Sequence, residues 1–163
     1  MRTGLALFLS DVSPKAFIKT SHYSERLLSA QVPIVILLVE DSEQDAFLFH
    51  RAVHKTCLPA VTHVAVDGLE AKDYLRNQGR FADKAANPPP DIMFLDLKMP
   101  RCNGFEVLEW MKHAKIPRAP VVVLTSSTQA EDQARVEQLG AALYLAKPLS
   151  PEQLRQVFGK FGP

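Results

Sequence analysis

The sequence predicts an α/β fold: a doubly wound sheet of five parallel strands with helices on both faces. Two observations carry that prediction. Short apolar runs, several rich in β-branched residues, alternate with amphipathic stretches through residues 33–163. Such alternation implies a parallel sheet covered on both faces, with right-handed crossovers. Helix-start signals also recur at Asp67, Asn103, Thr128 and Ser150, each followed three residues later by Glu or Gln, the pattern of a capping box.

The first strand is 34–39, an unbroken apolar run that suits burial on both faces. Residues 43–56 read as a helix with Leu48, Phe49, Ala52 and Val53 on one face. A weaker strand, 60–66, leads to a helix that opens at Asp67 and runs to about Gln78. Residues 79–90 form a loop marked by Pro88, Pro89 and Pro90. The third strand is 92–95. The helix capped by Asn103 turns Val107, Leu108 and Met111 inward. The fourth strand, 121–124, precedes a helix capped by Thr128 and ending near Gly140. Its large apolar residues are chiefly Val136 and Leu139, so it should dock loosely. The fifth strand is 141–146, and the last helix starts at Ser150 with Pro151 at its first position. Residues 1–32 show no sustained period beyond one amphipathic turn at Tyr23, Leu27 and Leu28. They are expected to be an extension, flexible or loosely helical, unless the biological start lies further downstream.

Composition narrows the function. Nineteen basic residues stand against 18 acidic ones, a net charge of +1, which argues against a nucleic-acid or membrane-surface binder. Cys57 and Cys102 are the two cysteines, too few for a disulfide framework and too far apart for a CxxC metal site. They read as reduced thiols. The apolar run 5–9 is too short for a secretory segment, and Asp11 follows it closely. No stretch reaches the roughly 18 residues of a membrane span. A soluble, cytoplasmic protein is expected.

In a doubly wound sheet, ligands bind beyond the carboxyl ends of the strands. Here Glu40 and Asp41 follow the first strand, Asp96 the third, Thr125 and Ser126 the fourth, and Lys147 and Pro148 the fifth. A parallel sheet gathers all of them on one edge. Taken singly, each has an ordinary explanation: a turn residue, a helix-dipole acid, a strand threonine, a solvated lysine. The joint arrangement is hard to obtain from turns alone. Two carboxylates about 4 Å apart cost around 4 kcal/mol at an effective dielectric near 20. A divalent cation would offset that repulsion, and an all-oxygen donor set suits Mg²⁺ better than zinc. Thr125 and Lys147 could then contact phosphoryl oxygens, with a carboxylate as nucleophile.

These residues sit in segments that match a family. ILLVEDS (36–42), PDIMFLDLKMPRCNGFEVL (90–108), VVVLTSS (121–127) and YLAKP (144–148) resemble the receiver domain of bacterial two-component response regulators. The DGLEA and YLRNQG segments within 67–79 and the DLKMPRCNG loop resemble small stand-alone regulators, including those paired with bacterial phytochromes. The resemblance covers the chain outside the extension and implies a receiver domain over 33–163. It also implies the flavodoxin-like strand order 2-1-3-4-5.

The resemblance further implies that a sensor histidine kinase phosphorylates Asp96, and the likeness to phytochrome-paired regulators implies a kinase of the phytochrome type. Glu40, Asp41, Asp96 and the backbone carbonyl of Lys98 would hold Mg²⁺. Thr125 and Lys147 would bind the phosphoryl group, and Tyr144 would change rotamer as Thr125 moves. Lys147-Pro148 is expected to be a cis peptide. The output is a shift in the face built from the fourth helix, fifth strand and fifth helix, read by a protein partner or by a second copy of the chain. The chain ends at Pro163 with no DNA-binding domain following, so protein partners are expected.

Three other functions compete with that reading. A phosphorylation-independent receiver-like binding module is weakened by the full set of site residues. A phosphohydrolase of a common kind would want an acid two residues after Asp96, where this chain has Lys98. A nucleotide-binding protein would want glycines in the first strand-to-helix turn, and Glu40-Asp41-Ser42-Glu43 has none. A non-enzymatic switch is therefore expected.

Overall fold

Strands β1 (Ile34–Val39), β2 (Ala60–Ala65), β3 (Ile92–Asp96), β4 (Val121–Thr125) and β5 (Leu143–Ala146) form one sheet in the order β2-β1-β3-β4-β5. Every neighbouring pair is parallel. The computed structural model describes residues 32–114, 116, 119–126 and 130–162. The expected turn at Tyr23, Leu27 and Leu28 and the expected cap at Thr128 lie outside the described residues.

The helices are α1 (Glu43–His54), α2 (Gly68–Arg76), α3 (Gly104–His113), α4 (Ala130–Gln138) and α5 (Pro151–Phe161). A short 3₁₀ turn, Gly79–Phe81, follows α2 inside the expected loop. Strand alternation divides the core between the two faces. Leu37, Val39, Met93, Leu95 and Val123 point to one face and pack with Tyr74 of α2, Leu108 of α3 and Val136 of α4. Ile36, Leu38, Phe94, Val122 and Leu124 point to the other face and pack with Phe49 of α1 and Leu154 and Phe158 of α5.

The expected caps at Asn103 and Ser150 both form complete capping boxes. At Asp67 only half of the box forms. Its side chain accepts the Glu70 N–H at 2.8 Å. The Glu70 carboxylate instead accepts the Val66 N–H at 3.0 Å and pairs with Arg80 at 2.6 Å. Several boundaries differ from the expectation. The first helix ends at His54 rather than residue 56, and the second at Arg76, where Asn77 takes a left-handed φ of 52°. The second strand stops at Ala65 and the fifth begins at Leu143. Leu48, expected on the inward face of the first helix, is 39% exposed. It lines an open cavity of about 220 Å³ with Phe49, Leu124, Pro148 and Leu149, so protein atoms cover it on one side only.

The strand register positions the site. Val39 is paired with Leu95, so Glu40 emerges beside Asp96. Asp96 is paired with Leu124, one residue before Thr125, and Thr125 is paired with Ala146, one residue before Lys147. Four strands from one edge thus bring their terminal residues to one place. The chain order reverses around β1, which has β2 on one side and β3 on the other. That is the switch point at which such sheets bind ligands.

Candidate functional site

Glu40, Asp41 and Asp96 each present a carboxylate oxygen within 4.8 Å of the other two. Glu40 and Asp96 are buried, and Asp41 is exposed. Local backbone groups fix two of the carboxylates. The Ser42 N–H donates to Glu40 Oε1 at 3.2 Å, and the Lys98 N–H donates to Asp96 Oδ1 at 3.2 Å. Their other oxygens face one ammonium: Lys147 Nζ lies 2.6 Å from Glu40 Oε2 and 2.9 Å from Asp96 Oδ2.

Burial pushes the Glu40 carboxyl above its ordinary range, against the pull of Lys147. Burial alone would lower the Lys147 pKa, but its carboxylate partners outweigh that and raise it. The group is a firmly protonated lysine inside an acidic cluster. Three clustered carboxylate oxygens, one of them exposed to solvent, fit a hard divalent cation that keeps part of its water shell. Among the described residues, Glu40, Asp41 and Asp96 are the side chains that could hold it.

The loop after β3 is tied on two sides. The Gly104 N–H donates to the Leu97 carbonyl at 3.1 Å, and the Gly68 N–H to the Cys102 carbonyl at 3.1 Å. Gly104 is required here, because a Cβ would strike the Asp96 carbonyl oxygen. Arg101, with a left-handed φ of 63°, forms an ion pair with the buried Asp67 carboxylate at the start of α2. Cys102 is buried as a filler within this loop, with its Sγ 3.3 Å from Lys72 Nζ.

The expected residues thus fall into two groups. Glu40, Asp41, Asp96 and Lys147 are brought into one cluster. Thr125, 1% exposed, ends the neighbouring strand, and the Lys147 N–H donates to its carbonyl at 2.8 Å. Tyr144 lies two residues further back in that register, half-buried against the α2–α3–α4 side of the core. Lys98 is exposed on the loop. The Lys147-Pro148 peptide is cis, as expected. Phe105 and Trp110 are partly buried against the core, with Arg135 4.3 Å over the Phe105 ring and Arg76 4.7 Å over the Trp110 ring.

One participant escaped the sequence reading. Asp45, in the first turn of α1, places Oδ2 3.0 Å from Lys147 Nζ. An acid there looks like ordinary helix-dipole stabilisation. Its partner is 102 positions away, and no local signal marks the pair.

The fold and the gathering of these residues at the strand ends are those of a receiver domain, and comparison with known proteins agrees. The chain belongs to the response regulator receiver domain family, which it matches over residues 36–158. It is 38% identical over 131 residues to the probable methanogenesis regulatory protein FilR2 of Methanothrix harundinacea, covering 80% of this chain and 82% of that protein. It is 36% identical over 116 residues to the response regulator Rcp1 of Synechocystis, covering 71% of this chain and 77% of that protein. Among solved structures, the bacteriophytochrome response regulator AtBRR superposes with a TM-score of 0.69 at 36% identity, covering 80% of this chain and 93% of that chain. A structure of the Mn²⁺-bound form of Rcp1 superposes with a TM-score of 0.64. Phosphorylation and Mg²⁺ binding are general to the family. Among the described residues, no helix is long and apolar enough to cross a membrane.

Proposed function

We propose that this chain is a response regulator that accepts a phosphoryl group on Asp96 from a sensor histidine kinase and passes the signal to a protein partner. The observation that carries the reading is the Asp96 carboxylate at the end of β3, with Lys147 2.9 Å away and two further acids within 4.8 Å. In the step itself an Asp96 oxygen attacks phosphorus. The P–N bond to the donor histidine breaks, and the bond's electron pair leaves with the imidazole. Mg²⁺, held by Glu40, Asp41, Asp96 and the Lys98 carbonyl, would neutralise charge on the transferring oxygens.

Lys147 and Thr125 would bind the phosphoryl oxygens once they are on Asp96. Tyr144 would follow Thr125 and alter the α4–β5–α5 face, where a downstream protein or a second copy would read the state. The likeness to AtBRR, a bacteriophytochrome response regulator, supports a phytochrome-type kinase as donor, and the transfer would take place in the cytoplasm. Residues 1–32 would be an extension separate from the receiver domain.

The test is labelling by acetyl phosphate in the presence of Mg²⁺. Wild-type protein should gain one phosphoryl group, and Asp96→Ala none. Unchanged labelling of the variant would remove Asp96 from its role, and equal labelling without Mg²⁺ would remove the metal. Deleting residues 1–32 should leave the thermal melt nearly unchanged. A drop of many degrees would show that the extension packs on the domain.

A further inference from the structure

Lys147 has three N–H donors, and three carboxylates surround them: Glu40 at 2.6 Å, Asp96 at 2.9 Å and Asp45 at 3.0 Å. An ammonium has no fourth donor. If Lys147 is to bind a phosphoryl oxygen, as in the function proposed above, on which this inference rests, its donors must be redistributed. The three partners are not equally free to yield. The side chains of Glu40 and Asp96 are 2% and 10% exposed, whereas that of Asp45 is 37% exposed. Asp45 also borders the cavity of about 220 Å³ beside α1, so its side chain has room to turn outward into water. It lies outside the three-oxygen cluster suited to a cation, which gives it no other evident task in the site.

We propose that Asp45 is a positioning residue that acts through Lys147. It holds the ammonium on the α1 side of the site while Asp96 is a free carboxylate, and releases it when a phosphoryl group arrives. It therefore opposes phosphoryl binding and sets how readily the site fills. Removing the Asp45 charge should strengthen binding at Asp96, although a site residue is being altered.

The experiment is calorimetric titration with beryllofluoride at saturating Mg²⁺, comparing wild type, Asp45→Asn, Asp45→Ser and Glu43→Gln. Glu43 is an exposed acid in the same helical turn, so its variant removes an equal charge. The Asp45 variants should bind about threefold to tenfold tighter, the scale of one ordinary net hydrogen bond, because the Asp45 carboxylate is partly exposed to solvent. Glu43→Gln should stay within about twofold, as expected of a solvent-screened charge. In ligand-free protein, hydrogen exchange at the Lys147 ammonium, read by ¹⁵N NMR, should accelerate in Asp45→Asn. Equal gains in the Asp45 and Glu43 variants would reduce the effect to net charge and overturn the proposal. Weaker or unchanged binding, or unchanged ammonium exchange, would overturn it as well. Failure of wild type to bind beryllofluoride, or equal binding by Asp96→Ala, would strike the function proposed above and this inference with it. Wild-type binding with unaltered Asp45 variants would strike this inference alone.

Discussion

Helices α3 and α4 pack on the same face of the sheet, and each follows a strand that ends in a site residue, Asp96 or Thr125. They are anchored very differently. α3 buries Val107, Leu108 and Met111, closes a complete capping box, and brings Gly104 against the backbone of Asp96. Among the described residues of α4, Val136 is the one fully buried side chain, with Leu139 partly buried just beyond the helix. Each buried side chain of this size contributes about 1.5–3 kcal/mol, so α3 is held several times more strongly. The lesson is one of division. The helix that follows Asp96 is anchored firmly against the backbone of that residue. The helix that follows Thr125 has less buried surface to hold it, and sparse apolar contact lowers the cost of local displacement.

The comparison can be broken by mutation. Leu108→Ala should have the largest effect, about 3 kcal/mol lost in a urea melt, from deletion of a side chain in a close-packed core. Val136→Ala should cost less, about 1.5 kcal/mol, because fewer methyl groups are removed and a loosely docked helix can settle into the space. Equal losses would mean that α4 is as firmly seated as α3, and the proposed division would fail.

The smallest expected effect concerns pH. His63 on β2 has its ring 5.3 Å from that of Tyr74, and burial lowers its pKa below the ordinary 6.5. The fold thus favours the neutral ring. Its contribution is intact above the unfolded value of about 6.5 and is lost as pH falls through the lowered folded value. Wild-type stability should decline more between about pH 7.5 and pH 5.5 than that of His63→Gln. Parallel declines would show that His63 is not the titrating group.

Much of this molecule was legible from local pattern. The 34–39 run reads as a buried strand because every residue is apolar, and it is one. Asn103 and Ser150 announce their helices because a cap satisfies backbone donors within four residues of itself. Glu40, Asp41, Asp96 and Lys147 were identifiable because a parallel sheet sends every strand's carboxyl end to the same edge. Leu48 was misplaced because helical period assigns a direction but does not say whether protein or open cavity lies there.

What the sequence determined by itself, then, is the alternation of strands and helices, the sheet they must form, and the acidic edge with its single lysine. Those follow from period, burial and capping, which act over a few residues. The tertiary structure alone decided which carboxylates the lysine meets. Asp45 joins Glu40 and Asp96 around Lys147 because α1 sets its first turn beside the end of β5, across 102 positions of chain. The same holds for Arg101 and Asp67, which join the Asp96 loop to α2. Such pairs depend on how packed elements approach in space, and charge attraction carries no mark in the local sequence of where its partner will come from.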